Sequence, residues 1–205
     1  MGLMLGFLRH PNLRECGVMY LDAGEECMRY RRADAAGGTY FFTVNLAERK
    51  RTLLVDHIAP LRTVMQKVKT MHPFHIDAMV VLPDHLHALW TLPLGDRDYP
   101  TRWMLIKAGF SRQLPKTERR SVSRQAKGER GIWQRRYWEH LIRDDRDFER
   151  HADYIHYNPV KHRLVQRVAD WPWSSFHRWV RQGLLPLNWG AETWADGDGA
   201  FGEPQ

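Results

Sequence analysis

His85 and His87 stand either side of Leu86 in the stretch PDHLHALW, residues 83–90, within an apolar run that reads as a buried strand. On a strand, residues i and i+2 project from one face, so both imidazoles point together while Leu86 turns into the core. Two neutral imidazoles side by side make half a divalent-metal site, and a buried polar pair requires partners. HADYIHYNPVKH, residues 151–162, offers them: Tyr154 and Asn158 are four apart and share a helix face. A tyrosine hydroxyl, with an ordinary pKa of about 10, is a poor nucleophile unless it or its target is activated. A divalent cation on a phosphate oxygen supplies that activation as a Lewis acid, and the Asn158 carboxamide oxygen can reach the same metal. Tyr157 competes with Tyr154 for the role of nucleophile, but Tyr154 alone has an amide four residues on. Asn158 also precedes Pro159, a position where asparagine commonly ends a helix.

The elements that must carry these side chains follow from patterning. TYFFTVNL (39–46) is β-branched and aromatic and reads as a strand. Ile58, Leu61, Val64, Met65 and Val68 recur at three-and-four spacing, an amphipathic helix ending before Pro73. Residues 74–93 are two apolar strands joined at the turn dipeptide Pro83-Asp84. YPTRWMLIKAGFSRQLP predicts a second helix, capped by Thr101 and closed by Pro115. Residues 115–131 are charged and almost without apolar content, the signature of a solvated basic loop. GIWQRRYWEHLI reads as a strand, and the aspartate-rich RDDRDF opens a helix expected to run to Pro159. The order β-α-β-β-α-β followed by a further helix is that of an α+β, ferredoxin-like sandwich with an antiparallel sheet.

Three segments are expected: a poorly ordered N-terminal extension over 1–27, with an ordered N-terminal arm and a leader added by an upstream start codon as the two readings of it; a catalytic domain over 28–165; and an aromatic-rich tail over 166–205 packed on that domain. In the tail, Trp171, Trp173, Phe176 and Trp179 are suited either to pinning it down or to stacking on bases.

With 205 residues and 43% hydrophobic content the chain can bury one substantial core. A formal charge of +7 favours an anionic partner, nucleic acid first. Arg31 and Arg32 in RYRR, Arg135 and Arg136 beside the last strand, and the basic loop are the candidate phosphate contacts. Cys16 and Cys27 are too few for a disulfide framework or a cysteine-based zinc site, so a reducing, cytoplasmic setting is expected. No apolar run approaches the length of about 20 residues that spans a bilayer.

LPDHLHALW, WQRRYWEHLIRD and YIHYNPVKHRLV, in this order, resemble the REP-associated tyrosine transposases, relatives of the single-tyrosine HUH transposases of small bacterial insertion sequences. The resemblance runs from about Tyr30 to Gly190. It implies that His85-Leu86-His87 is the HUH motif binding Mg²⁺ or Mn²⁺, that Tyr154 is the nucleophile, and that Asn158 stands in the place of the third ligand. The implied reaction is cleavage of single-stranded DNA at a REP-type hairpin through a 5′-phosphotyrosine, by a monomer or a homodimer. Three rival readings stay open: a nuclease using the same histidines with water in place of Tyr154, a non-catalytic binder of DNA hairpins, and a metal hydrolase acting on a small molecule, which the basic charge disfavours.

Overall fold

A computed structural model describes residues 35–190. The expected extension over 1–27, together with Arg31 and Arg32, lies outside them. In chain order the elements are β1 (Thr39–Asn45), α1 (Leu53–Asp56), α2 (Ile58–Met71), β2 (His75–Val81), β3 (His85–Thr91), α3 (Tyr99–Gln113), α4 (Val122–Ala126), β4 (Trp138–Leu141), α5 (Asp145–Lys161) and α6 (Phe176–Arg181). The sheet order is β2-β3-β1-β4 with every neighbour antiparallel, the ferredoxin-like arrangement.

Every residue of β1 and β3 is buried, because both faces of the sheet are covered. The period of two survives as a difference in destination. Tyr40, Phe42, Val44, Leu86, Ala88 and Trp90 face α2 and α3, where Trp90 stacks on Trp103 at 4.1 Å between ring centroids. Phe41, Ala78, Val80, Leu82 and Leu89 face the other way and meet Ala152, Tyr154 and Ile155 of α5. Helix α5 therefore forms a second layer on the sheet face that carries the histidines.

Residues beyond α5 close the open edge at β2. Val81 N–H donates to Trp173 O at 2.9 Å, Ser175 N–H to Met79 O at 2.8 Å, and Trp171 Nε1–H to Val81 O at 3.0 Å. A bulge at Asp77 interrupts the β2–β3 register, and Trp179 Nε1–H and Arg178 donate to the Asp77 carbonyl. Covering an edge strand in this way removes a template for pairing with other chains.

Four local expectations are corrected. The cap of α3 is Asp98, whose carboxylate accepts from Thr101 N–H at 3.1 Å; Thr101 is already inside the helix. The basic loop contains the short helix α4, and Arg130 binds Glu118 across it. The strand expected over GIWQRRYWEHLI is only Trp138–Leu141, with Trp133 making an isolated bridge to Leu46. Finally, α5 continues through Pro159 to Lys161. A proline so near a helix end forfeits a single interior hydrogen bond and leaves the remaining turns intact.

Candidate active site

The β1–β3 register pairs Thr43 with His87 and Asn45 with His85, so all four side chains lie on the face turned toward α5. His85 and His87 are both buried, with ring centroids 5.0 Å apart. Each ring is held at Nδ1. His85 Nδ1 lies 2.7 Å from Asp84 Oδ1, and His87 Nδ1 lies 2.9 Å from Thr43 Oγ1. Burial alone would raise the Asp84 pKa, but hydrogen bonds from His85 and Arg49 outweigh it and hold the group at about 2. An ionised carboxylate only accepts, so the His85 proton sits on Nδ1 and, in the neutral ring, Nε2 carries the lone pair. A carboxylate behind an imidazole is the usual outer support of a metal-binding histidine.

Helix α5 brings the second half. Asp144 caps it by accepting from Asp147 N–H at 2.7 Å, and Asp145 and Asp147 place negative charge in its first turn. Tyr154 is buried with its ring 5.2 Å from His87 and 6.1 Å from Phe41. Asn158 is fully buried one turn further on. Tyr157 is turned aside: a Cβ built on Gly190 would meet its ring at 3.4 Å, which places it against the C-terminal segment. Two imidazole nitrogens and a carboxamide oxygen, if brought to one cation, would suit a divalent ion of hard or borderline character.

Two neighbours were not singled out from sequence. Lys161 Nζ donates to Tyr154 Oη at 3.2 Å and lies 4.6 Å from the centre of the same ring. The His162 ring is 5.1 Å from that of His85. Spacing alone contained the signal for Lys161, since residues 154, 158 and 161 follow the i, i+4, i+7 pattern of one helix face.

A separate group, His140, Asp147 and His151, has ligand atoms within 4.8 Å of one another, close enough to share a cation. Here the carboxylate already has donors: His140 Nε2 at 2.8 Å and Arg143 N–H at 3.1 Å both reach Asp147 Oδ2. His151 Nδ1–H donates to the Asp147 carbonyl at 2.7 Å, and burial pushes its pKa down to about 4, so the ring is neutral. These bonds tie β4 to the first turns of α5.

The arginine candidates divide. Arg135 is engaged with Glu129 at 2.9 Å and with Ser123 at 3.0 Å, whereas the Arg136 side chain is exposed. Gln134 N–H donates to Asn45 O at 2.9 Å, so this dipeptide leaves the sheet at the end where β3 begins with His85. Among the described residues no helix is long and apolar enough to cross a membrane.

No protein-family model matches the chain. A REP-associated tyrosine transposase of Escherichia coli (strain K12) is 47% identical over 164 residues, which cover 80% of this chain and 92% of that protein. A Haemophilus influenzae protein given the same family name is 49% identical over 162 residues, covering 78% of this chain and 92% of its own. Among solved structures, a REP-associated tyrosine transposase bound to a REP hairpin matches with a TM-score of 0.73 at 45% identity, over 87% of this chain and 99% of that one. With nearly the whole length of these relatives aligned, the chain belongs to the REP-associated tyrosine transposases.

Proposed function

We propose that the protein cuts and rejoins single-stranded DNA beside a REP-type hairpin, with Tyr154 as nucleophile. The observation that carries this reading is the packing of the Tyr154 ring against His87, on the helix face that also presents Asn158. The hairpin-bound relative supports the same class of substrate, and the net charge of +7 suits it. A bacterial enzyme acting on DNA in this way works in the cytoplasm.

In this reading His85, His87 and Asn158 would hold Mg²⁺ or Mn²⁺. A cation held there would supply Lewis-acid polarisation of the scissile phosphate. Asp84 and Thr43 fix the two rings from behind. Tyr154 Oη forms a bond to the phosphorus as the bond to the 3′ oxygen breaks, leaving a 5′-phosphotyrosine and a free 3′-hydroxyl. The reverse attack by a 3′-hydroxyl releases the tyrosine, and one phosphodiester is exchanged for another without an external energy source. Arg136 and the basic segment around it contact the backbone phosphates.

The test is a denaturing gel with hairpin DNA labelled downstream of the cut. Wild type and Tyr157→Phe form a covalent protein–DNA adduct in Mg²⁺ and lose it in EDTA. Tyr154→Phe forms none and binds the hairpin within a few-fold of wild type. An adduct from Tyr154→Phe but not from Tyr157→Phe would show that the wrong tyrosine has been chosen. Cleavage by wild type without any adduct would point to water as the nucleophile.

A further inference from the structure

We infer that Lys161 is a catalytic residue of the cleavage reaction, its ammonium stabilising negative charge on the Tyr154 oxygen as that atom attacks and again as it leaves. The inference rests on Tyr154 being the nucleophile. Its direct basis is that Lys161 Nζ is within hydrogen-bond distance of Tyr154 Oη, at 3.2 Å, the atom that gives up its proton to attack and carries charge as it leaves.

A lysine in the last turn of a helix has an ordinary explanation, since cations are favoured near the helix C-terminus. That explanation would leave the ammonium at the end of α5. Instead it lies over a ring two turns earlier, although the two Cα atoms are separated by about 10 Å at the usual rise per residue. Side chains on a helix lean toward the N-terminus, which makes such a reach feasible from i+7 and not from the opposite direction. The chain thus spends an exposed, flexible side chain on covering a buried phenol.

The chemistry balances without a further co-reactant beyond water. On cleavage, the phenolic proton passes to a solvent base, the Oη–P bond forms, and the P–O3′ bond breaks with its electron pair on the 3′ oxygen, which takes a proton from solvent. Lys161 keeps its own protons throughout and acts through its charge and its donated hydrogen bond. On rejoining, the same ammonium faces the departing Tyr154 oxygen. Both directions pass through one transition state, so removal of the charge slows both by the same factor.

The experiment uses the full chain and single-turnover kinetics at saturating hairpin DNA, with the adduct site mapped by peptide analysis. Lys161→Met, similar in length but uncharged, is expected to slow adduct formation by about 100-fold, the scale of losing one charge-stabilising donor. Rejoining of a preformed adduct should slow equally, while the DNA dissociation constant stays within about threefold. Lys161→Arg should recover much of the rate because it restores the positive charge. If Lys161→Met weakens DNA binding but leaves the saturated rate unchanged, Lys161 is a phosphate contact and the inference is overturned. Equal loss in the Met and Arg variants would show a packing role and would overturn it too. An adduct mapped to a residue other than Tyr154 would instead remove the reading on which the inference rests, whatever the lysine variants do.

Discussion

Thr43 and His87 sit opposite one another in the β1–β3 ladder, and Thr43 Oγ1 lies 2.9 Å from His87 Nδ1. The neighbouring register position repeats the device from a different source: the His85 ring is held at Nδ1 by Asp84, the residue immediately before β3. Both rings are therefore held at the same nitrogen, Nδ1. Strand register and one turn residue, acting together, set the orientation of two side chains that a loop would leave free to rotate.

Removing either support should weaken cation binding at the proposed His85–His87 site while the fold survives. Thr43→Val is nearly isosteric and Asp84→Asn retains a carbonyl oxygen, so packing is largely preserved. Outer supports of this kind typically contribute about 10–100-fold to metal affinity. Mn²⁺ titration followed by electron paramagnetic resonance should show that weakening in both variants. Unchanged affinity would mean that the rings are fixed by their packing alone.

The two histidine groups make different predictions about where a cation binds. Asp147 is already satisfied by His140 and Arg143, and a metal would have to displace those hydrogen bonds. Mn²⁺ binding should accordingly be lost in the His85→Ala, His87→Ala double variant and retained in His140→Ala. The His140 variant should lose stability, by about 1–3 kcal/mol, because the buried Asp147 carboxylate loses one of its donors and keeps Arg143. Retention of binding in the first variant and loss in the second would transfer the metal to the His140 group.

Much of the site was legible because its residues obey strict periods. The i, i+2 spacing on a strand and the i, i+4 spacing on a helix put His85 with His87 and Tyr154 with Asn158. Which sheet face α5 would cover was not written in either period, because β1 and β3 are apolar on both sides. Lys161 was missed because a lysine after Asn-Pro reads as a helix terminus, and the proline turned out to be inside the helix. The Asp147 cluster was missed because it joins β4 to α5 across a turn, and no local pattern reports such a contact. Arg130 and Glu118 likewise give the basic segment an ordered ion pair that its composition conceals.

Close helix packing on the opposite face gives a stability test. A Cβ on Gly109 of α3 would lie 2.6 Å from Val64 Cγ1 of α2. Alanine ordinarily stabilises a helix interior by about 1 kcal/mol relative to glycine. Val64 is β-branched and stiff at χ1, so it cannot turn aside cheaply, and overpacking costs about 1–3 kcal/mol. Gly109→Ala should therefore be destabilising in urea unfolding. In a Val64→Ala background the same change should become neutral or stabilising, a non-additivity expected only of contacting residues. A stabilising Gly109→Ala on its own would refute the steric argument.

The attachment of the C-terminal segment should weaken in acid through His156. This ring is fully buried, its Nε2 is 2.9 Å from Ser175 Oγ, and Trp179 packs against it at 4.8 Å. Burial, reinforced by the positive charge of Arg178, pushes its pKa down from 6.5 to about 3. The unfolded chain thus binds a proton here between those two values that the folded chain refuses. Stability from this group is complete above about pH 6.5 and is lost progressively as the pH falls toward 3. His151, pushed down to about 4, acts in the same direction, whereas Asp153, raised to about 6 by burial and Glu149, gains a proton on folding and opposes them. The difference between wild type and His156→Phe isolates the one group. At pH 7.5 the variant should be the less stable, having lost the bond to Ser175. Its deficit should shrink by about 1 kcal/mol or more as the pH is lowered to 4.5, since only wild type then carries the protonation penalty. Urea unfolding followed by tryptophan fluorescence measures both curves, and a deficit that stays constant across that range would show that His156 does not titrate as its burial requires.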